Sequence, residues 1–443
     1  MARRYLIETF GCQMNFHDSE RMAGLLEQAG YEPADGEADA DLIVVNTCSV
    51  RERAEDKLYT RLGEIHATGE ERGRRPVVAV AGCVAQQEGT ALLKRSSAID
   101  VVVGTQRIKQ LPMLVEQAAR SVEPVIDINP YDDVSFPLGV TRRSDPLKAW
   151  ITIIEGCNDF CAFCVVPYTR GHERMRPVSD ILEEVRDAAA QGRKEIHLLG
   201  QIVNHYQAPD DASCDFAALL ERVNAIEGVE RIRFASPHPR HVDERTITAI
   251  RDLPAVCKHL HLPVQSGSTR ILASMRRRYT RGEYLDLVER LREEVPNIAL
   301  STDMIVGFPG ETAADFKETL SLVEAVRYHS MFSFKYSERP NTLAGKRMPD
   351  DVTEAEKTSR IVALQTLQKQ IQTEIHQAAV GQVVAVLVDS VSRKRESELS
   401  GRTIGNTIVN FPGERAWVGR TIDVRISEGW PNSLRGDAVC RSK

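Results

Sequence analysis

The chain is 443 residues long, 42% apolar and 27% charged, which excludes a disordered or fibrous polymer and allows about three globular domains. A net charge of −6 excludes a chain-wide electrostatic grip on nucleic acid, so any RNA contact must be local. No apolar run is long enough to cross a bilayer and MARRYLIETF lacks the apolar core of a signal peptide, so a cytoplasmic protein with no membrane partner is expected, in which nine cysteines point to metal or redox chemistry rather than disulfides.

Residues 1–122 read as one α/β domain. Strands are expected over 4–10, 41–47, 77–81 and 100–103, with a helix over 19–29 stopped by Gly30. This alternation predicts a doubly wound parallel sheet, in which the carboxyl ends of the strands converge on one crevice. Cys12, Cys48 and Cys83 each follow a strand, at intervals of 36 and 35 residues, about one βα repeat apiece. Three cysteines at the same point of three repeats are expected to meet in that crevice and hold a metal cluster. Residues 123–142, rich in Asp, Pro and Ser and without apolar periodicity, read as a linker.

From 143 to 375 the rhythm returns on a larger scale. Strands are expected over 150–154, 195–199, 231–235, 259–262, 299–305 and 331–336, with helices such as 179–191, started by Ser179 and Glu183, and 281–293 between them. Six units predict an open (β/α)6 partial TIM barrel whose active face lies at the strand carboxyl ends. The first strand is followed by Cys157, Cys161 and Cys164 in C-x3-C-x2-C spacing. Three soft thiolates select an iron–sulfur cluster or zinc, and three ligands in place of four leave a coordination position open. A zinc half-site completed by the distant His172 is the other reading of this octet.

The octet resembles the signature of the radical S-adenosylmethionine (SAM) superfamily, with Phe163 at its usual aromatic position. That resemblance implies that the unligated iron chelates SAM and that an electron from the cluster cleaves it to a 5′-deoxyadenosyl radical. It also nominates SAM contacts. Gly200 and Gln201 stand where the superfamily has a Gly-Gly-Glu motif for the SAM ammonium, with only the first glycine kept. Gln265 and Ser266, after the fourth strand, are placed for the ribose or carboxylate. The stretch 303–311, with Asp303 and Ile305, resembles the one that borders the adenine.

The last domain, 376–443, follows an amphipathic helix over 354–376. Val- and Ile-rich runs over 383–389, 403–411 and 418–426 predict a small antiparallel barrel of OB-like type. Arg393, Lys394, Arg395 and Arg402 lie on its loops as candidate RNA-backbone contacts, and Arg276 to Arg278 form a second basic patch.

Over the whole chain, TFGCQMN (9–15), NTCSVRERAEDK (46–57), AGCVAQ (81–86), GCNDFCAFCVVPYTRG (156–171), HLHLPVQSGS (259–268), STDMIVGFPGE (301–311) and FKYSERPNT (334–342) resemble the methylthiotransferase family, and the last domain is similar to TRAM. The resemblance implies two [4Fe–4S] clusters, on Cys12, Cys48 and Cys83 and on Cys157, Cys161 and Cys164. It implies two SAM molecules per turnover, one donating the methyl group and one generating the radical. The text of GCQMN and CVVPYTRG is closest to the tRNA-acting branch, which implies methylthiolation at C2 of N6-(dimethylallyl)adenosine-37 presented by the anticodon stem-loop, an electron donor, a sulfur donor and a monomeric enzyme. Sister enzymes act on threonylcarbamoyladenosine or on a ribosomal-protein aspartate, and a non-catalytic zinc and RNA-binding protein is the reading from another class. Cys214, Cys257 and Cys440 match no family ligand, and Ile202 departs from the usual LGQNVN.

Overall fold

The computed structural model describes residues 2–49, 52–72, 75–130, 141–392 and 395–439. Near-continuous apolar runs such as LIVV and VVAVA can form strands only where both faces are covered. They do so in a six-stranded parallel sheet made of β1 (Arg3–Phe10), β2 (Tyr31–Pro33), β3 (Leu42–Thr47), β4 (Val77–Gly82), β5 (Val101–Val103) and β6 (Val125–Asp127), in the order β2-β1-β3-β4-β5-β6. Ile43, Val45, Val78 and Val80 pack on one face against Leu58, Leu62 and Ile65; Leu42, Val44, Ala79 and Ala81 pack on the other with Met22, Leu26 and Leu114. The sheet is therefore doubly wound, and the reversal of strand order lies between β1 and β3.

Two local expectations are corrected. Strand β6 falls inside the stretch read as linker; its three residues are too few to show a period. The first helix begins at Gln13, not residue 19. Its early turns bury Asn15, His17, Asp18, Ser19 and Glu20, a polar face that apolar periodicity cannot detect.

The second domain has six parallel strands in two halves, β7 (Lys148–Thr152), β10 (Glu195–Leu199) and β11 (Arg231–Phe234), then β12 (His259–His261), β13 (Ala299–Val306) and β14 (Ser330–Lys335). A single parallel bridge, Ile232 to Val256, joins the halves, giving the open partial barrel. Between β7 and β10 a two-stranded ladder, β8 (Ile154–Glu155) with β9 (Arg174–Met175), brackets the cysteine octet. The helix Val178–Ala190 is not started by Ser179: the amides of Val178 and Ser179 donate instead to the Asp210 carboxylate at 2.7 and 3.1 Å.

The last domain is a closed barrel, β15 (Val383–Val391), β16 (Glu398–Thr403), β17 (Ile408–Pro412), β18 (Thr421–Trp430) and β19 (Ser433–Ala438), in the order β15-β16-β17-β19-β18. It is not wholly antiparallel, because β17 and β19 pair in parallel. The expected strand over 403–411 is a turn and a strand, with Asn406 at φ +69° reversing the chain. That turn docks on the amino ends of the barrel strands, with Arg231 donating to Arg402 O at 2.7 Å and Arg233 to Thr403 O at 2.9 Å, and Asp389 of β15 pairs with Lys148 at 3.0 Å. Arg402 thus belongs to an interdomain contact, its side chain bonding Asn406 O at 3.2 Å. Arg393 and Lys394 lie outside the described residues, as does Cys440. Among the described residues, no helix is long and apolar enough to cross a membrane.

The first domain locks onto the barrel through buried polar groups. His17 Nδ1 meets Thr152 Oγ1 at 2.7 Å and its Nε2 lies 3.9 Å from Glu184, which within the barrel takes Arg143 at 2.8 Å and also Arg176. Burial alone would push the Glu184 carboxyl up, but the His17 imidazole and the charges of Arg176 and Arg143 outweigh it and hold it well below the usual carboxylate range. Glu184→Ala strands two buried guanidiniums, and calorimetry should show a lower melting temperature, a loss of about 3 to 5 kcal/mol. The contribution of this carboxylate is complete above the unfolded-state pKa of about 4.3 and fades as pH falls toward the depressed folded-state value. The gap between wild type and variant should therefore shrink in acid; a gap that stays constant down to about pH 2 would refute the assignment.

Candidate metal centres and cofactor cleft

The cysteine octet is held by backbone geometry that only particular residues allow. Gly156 has φ +78°, and a Cβ there would meet His172 O at 2.0 Å. Cys157 N donates to Gly171 O at 3.2 Å, Cys164 N to Cys161 O at 3.0 Å, and Ala162 N to Met275 O at 2.9 Å, so the loop is closed on itself and tied to the turn after residue 275. Ala162 and Phe163 pack with Ile271, Met275, Phe308 and Tyr336, which seals one side of the loop. Burial pushes the Cys157 and Cys164 thiols up to about 12, so a metal must displace their protons on binding. Two donors already face these sulfurs: Asp159 N lies 3.5 Å from Cys157 Sγ, and an Arg277 terminal nitrogen 3.5 Å from Cys161 Sγ. His172 is engaged elsewhere, its Nδ1 meeting Asn158 Oδ1 at 2.9 Å.

The second cysteine trio follows from strand register. Phe10, Thr47 and Gly82 are aligned across β1, β3 and β4, so the loops that follow begin at one level. Cys48 N donates to Phe10 O at 3.0 Å, while Asn15 and Asn46 bond each other beneath the loops, Asn15 Nδ2 to Asn46 Oδ1 at 3.1 Å and Asn46 Nδ2 to Asn15 O at 2.8 Å. Gly82, at φ +92°, leaves room for that pair; a Cβ would lie 2.3 Å from Asn46 Oδ1. A hydrogen bond from Cys48, assisted by the Arg170 charge, brings the Cys12 thiol down to about 6 against the cost of burial. Burial raises the Cys83 thiol, and Arg170 opposes it. Arg170 comes from the second domain and is itself paired with Asp18 at 2.6 Å.

Among the described residues, neither trio gathers its sulfurs within 4.8 Å of one another. The compact set is Asp159, His238 and His241. It is a poor cation site, because Arg240 at 3.1 Å and Arg278 at 3.8 Å already neutralise Asp159. Burial and the Arg277 charge push His238 down to about 2, so it stays neutral, its Nδ1 accepting from Arg240 N at 3.2 Å.

The six nominated SAM contacts divide. Gly200 packs so closely that a Cβ would sit 3.1 Å from Val203 and 3.2 Å from Ile154. The adjacent Gln201 keeps a buried Oε1 with no protein partner. Gln265, at φ +76°, pairs its backbone with β13, its N–H donating to Asp303 O at 3.0 Å and its carbonyl accepting from Ile305 N at 2.9 Å. Ser266 is fully buried and its hydroxyl accepts from Ser268 N at 3.2 Å, within its own loop. Asp303 and Ile305 sit on the half-exposed side of β13, with His261 Nε2 3.4 Å from the Asp303 carboxylate. Ile202 is buried and packs as an apolar residue. Cys214 and Cys257 are buried away from both trios. Arg277, read only as part of a basic patch, escaped sequence reasoning; its exposed neighbours Arg276 and Arg278 disguise it.

Comparison with known proteins gives three family matches along the chain: an uncharacterised family, UPF0004, over 4–104, the radical SAM superfamily over 151–323, and the TRAM domain over 377–439. The tRNA-2-methylthio-N(6)-dimethylallyladenosine synthase of Thermoanaerobacter pseudethanolicus is 44% identical over 98% of this chain and 92% of its own length. That of Geobacter metallireducens is 46% identical over 97% of each. Among solved structures, the radical SAM methyltransferase TsrM from Kitasatospora setae, 18% identical, superposes with a TM-score of 0.59 over 78% of this chain and 77% of that one, a likeness of fold.

Gly156→Ala should open the octet. After anaerobic reconstitution of a variant whose Cys12, Cys48 and Cys83 are alanine, it is expected to retain roughly half or less of the iron held without it. Gly192→Ala is the control. Its φ is +88° with nothing within 4 Å, so it should cost about 1 to 2 kcal/mol of stability and no iron. Equal iron in both would show that the Gly156 geometry does not hold the loop.

Proposed function

This chain belongs to the family of tRNA-2-methylthio-N(6)-dimethylallyladenosine synthases, and we propose from that premise which of its residues carry the reaction. The chain is a radical SAM methylthiotransferase that adds a methylthio group at C2 of N6-(dimethylallyl)adenosine in tRNA, with a [4Fe–4S] cluster and SAM as cofactors. Cys157, Cys161 and Cys164 hold the cluster that works with SAM, and Cys12, Cys48 and Cys83 hold a second one that carries the incoming sulfur. Position 37 of the anticodon stem-loop is the target. Electron and sulfur donors are separate partners, and the enzyme works as a cytoplasmic monomer.

The observation that carries this reading is the juxtaposition of two cysteine trios, each at the carboxyl end of a parallel sheet, across one interdomain boundary. When bound, cluster and SAM supply radical chemistry, which an adenine C2–H requires because no side-chain base can deprotonate it usefully. The protein's part is to hold and aim. The orphaned Gln201 Oε1 is an acceptor suited to the SAM ammonium, beside a Gly200 whose lack of a Cβ permits close approach. Asp303 and Ile305 present a carboxylate and an apolar side chain to the cleft, the pairing a ribose and an adenine need. Ser266 contributes by bracing its loop.

For RNA, three arginines described on the last barrel pair with carboxylates, while Arg415 and Arg420 are exposed. Arg395 and Arg435 pair with Glu398 at 3.0 and 2.6 Å, and Arg402 lies 3.8 Å from Asp389. Exposed Arg276, on the turn tied to the cysteine loop, is a further candidate phosphate contact; Arg278 beside it lies 3.8 Å from Asp159.

Incubating reconstituted enzyme with SAM, reductant, a sulfide source and tRNA carrying N6-(dimethylallyl)adenosine, then digesting to nucleosides for mass spectrometry, tests the activity; conversion of threonylcarbamoyladenosine instead would move the enzyme to the sister branch. The two trios should be separable. Alanine at Cys157, Cys161 and Cys164 should leave about four iron per chain and no SAM cleavage. Alanine at Cys12, Cys48 and Cys83 should leave about four iron and SAM cleavage without the methylthio product. Product from the latter variant would refute the assignment of the second cluster.

A further inference from the structure

A permanently charged guanidinium lies beside the 157–164 thiols with no carboxylate of its own. Arg277 is 6% exposed. Its Nε donates to the Tyr279 hydroxyl at 3.0 Å, one terminal nitrogen to Pro263 O at 2.8 Å, and the other to Cys161 Sγ at 3.5 Å. The nearest acidic residue of the cysteine loop, Asp159, pairs instead with Arg240 and Arg278. A buried charge without an opposite partner is costly, so an anion belongs at the thiol end of this side chain.

The backbone is arranged to put it there. Arg276 and Arg278 both adopt left-handed conformations, φ +59° and +57°, which non-glycine residues avoid. They send their own side chains to solvent and turn Arg277 inward. Met275 O accepts from Ala162 N, so the strained turn is tied directly to the cysteine loop. The other trio is treated differently. Arg170 also faces its thiols and acts to lower the Cys12 and Cys83 thiols, but it shares its charge with Asp18 at 2.6 Å, whereas Arg277 has no carboxylate partner.

We propose that Arg277 is a positioning residue that poises the cluster on Cys157, Cys161 and Cys164 to accept an electron. One electron arriving from an external reductant makes the cluster more negative, and an uncompensated positive charge hydrogen-bonded to a ligand sulfur stabilises that state. That charge thereby eases reduction of the cluster that works with SAM. This rests on the cysteine assignment of the preceding section, and the test keeps the two apart.

The test uses the variant with alanine at Cys12, Cys48 and Cys83, whose only cluster is then the one in question, and adds Arg277→Met or Arg277→Lys. Iron content and the midpoint potential, from an EPR-monitored redox titration, are read for all three proteins. Arg277→Met should disfavour reduction at least tenfold, which is 59 mV for one electron, and Arg277→Lys, which keeps the charge, should recover most of that shift. Loss of iron from Arg277→Met that Arg277→Lys restores would also support charge pairing. An unchanged potential at full iron content, or equal loss of iron from both variants, would overturn the proposal. Absence of iron from the parent variant would overturn the cysteine assignment instead.

Discussion

A buried ion pair between Arg170 and Asp18 joins the two halves of the cleft, and most of the site depends on it. Each partner sits just downstream of a cysteine of one trio, Asp18 on the helix that begins after Cys12 and Arg170 at the end of the short helix that follows Cys164. Fixing one pair therefore fixes the separation of two cysteine trios in different domains. Buried pairs seldom stabilise more than well-packed apolar residues would, but breaking one leaves an uncompensated charge at about 3 to 5 kcal/mol. Such an interaction makes one relative placement of the domains far better than its neighbours, and the surrounding contacts have the same character: Gln106 donates to Arg170 O at 2.7 Å, and His17 meets Thr152. An apolar interface would tolerate sliding; this one does not.

That polar interface also decides what could be read from the sequence. The parallel sheet was legible because covering both faces forces continuous apolar runs, and the cysteines were legible because in-register strands turn equal sequence spacing into spatial proximity. The helix over 13–28 was legible only in its second half, since its first turns bury polar residues against the other domain. Val178 and Ser179 find their cap in Asp210, some thirty residues away, where no local rule looks. Residues 403–411 have uniform β character, and the reversal depends on one asparagine accepting a positive φ. Arg277 was hidden in a run of three arginines of which only the middle one is buried, an alternation set by its neighbours' backbone rather than by side-chain type.

The position of the last domain bears on how large the substrate must be. Its turn at 403–405 engages Arg231 and Arg233 at the start of β11, and its Asp389 engages Lys148 at the start of β7. Both cysteine trios lie beyond the opposite, carboxyl ends of their strands. A five-residue strand is about 17 Å long, so the barrel wall separates the TRAM domain from the cleft by at least that much. A free nucleoside in the cleft cannot touch both regions. A folded RNA arm can, provided it runs along the outside of the barrel with its loop at the cysteine end and its stem toward the TRAM domain.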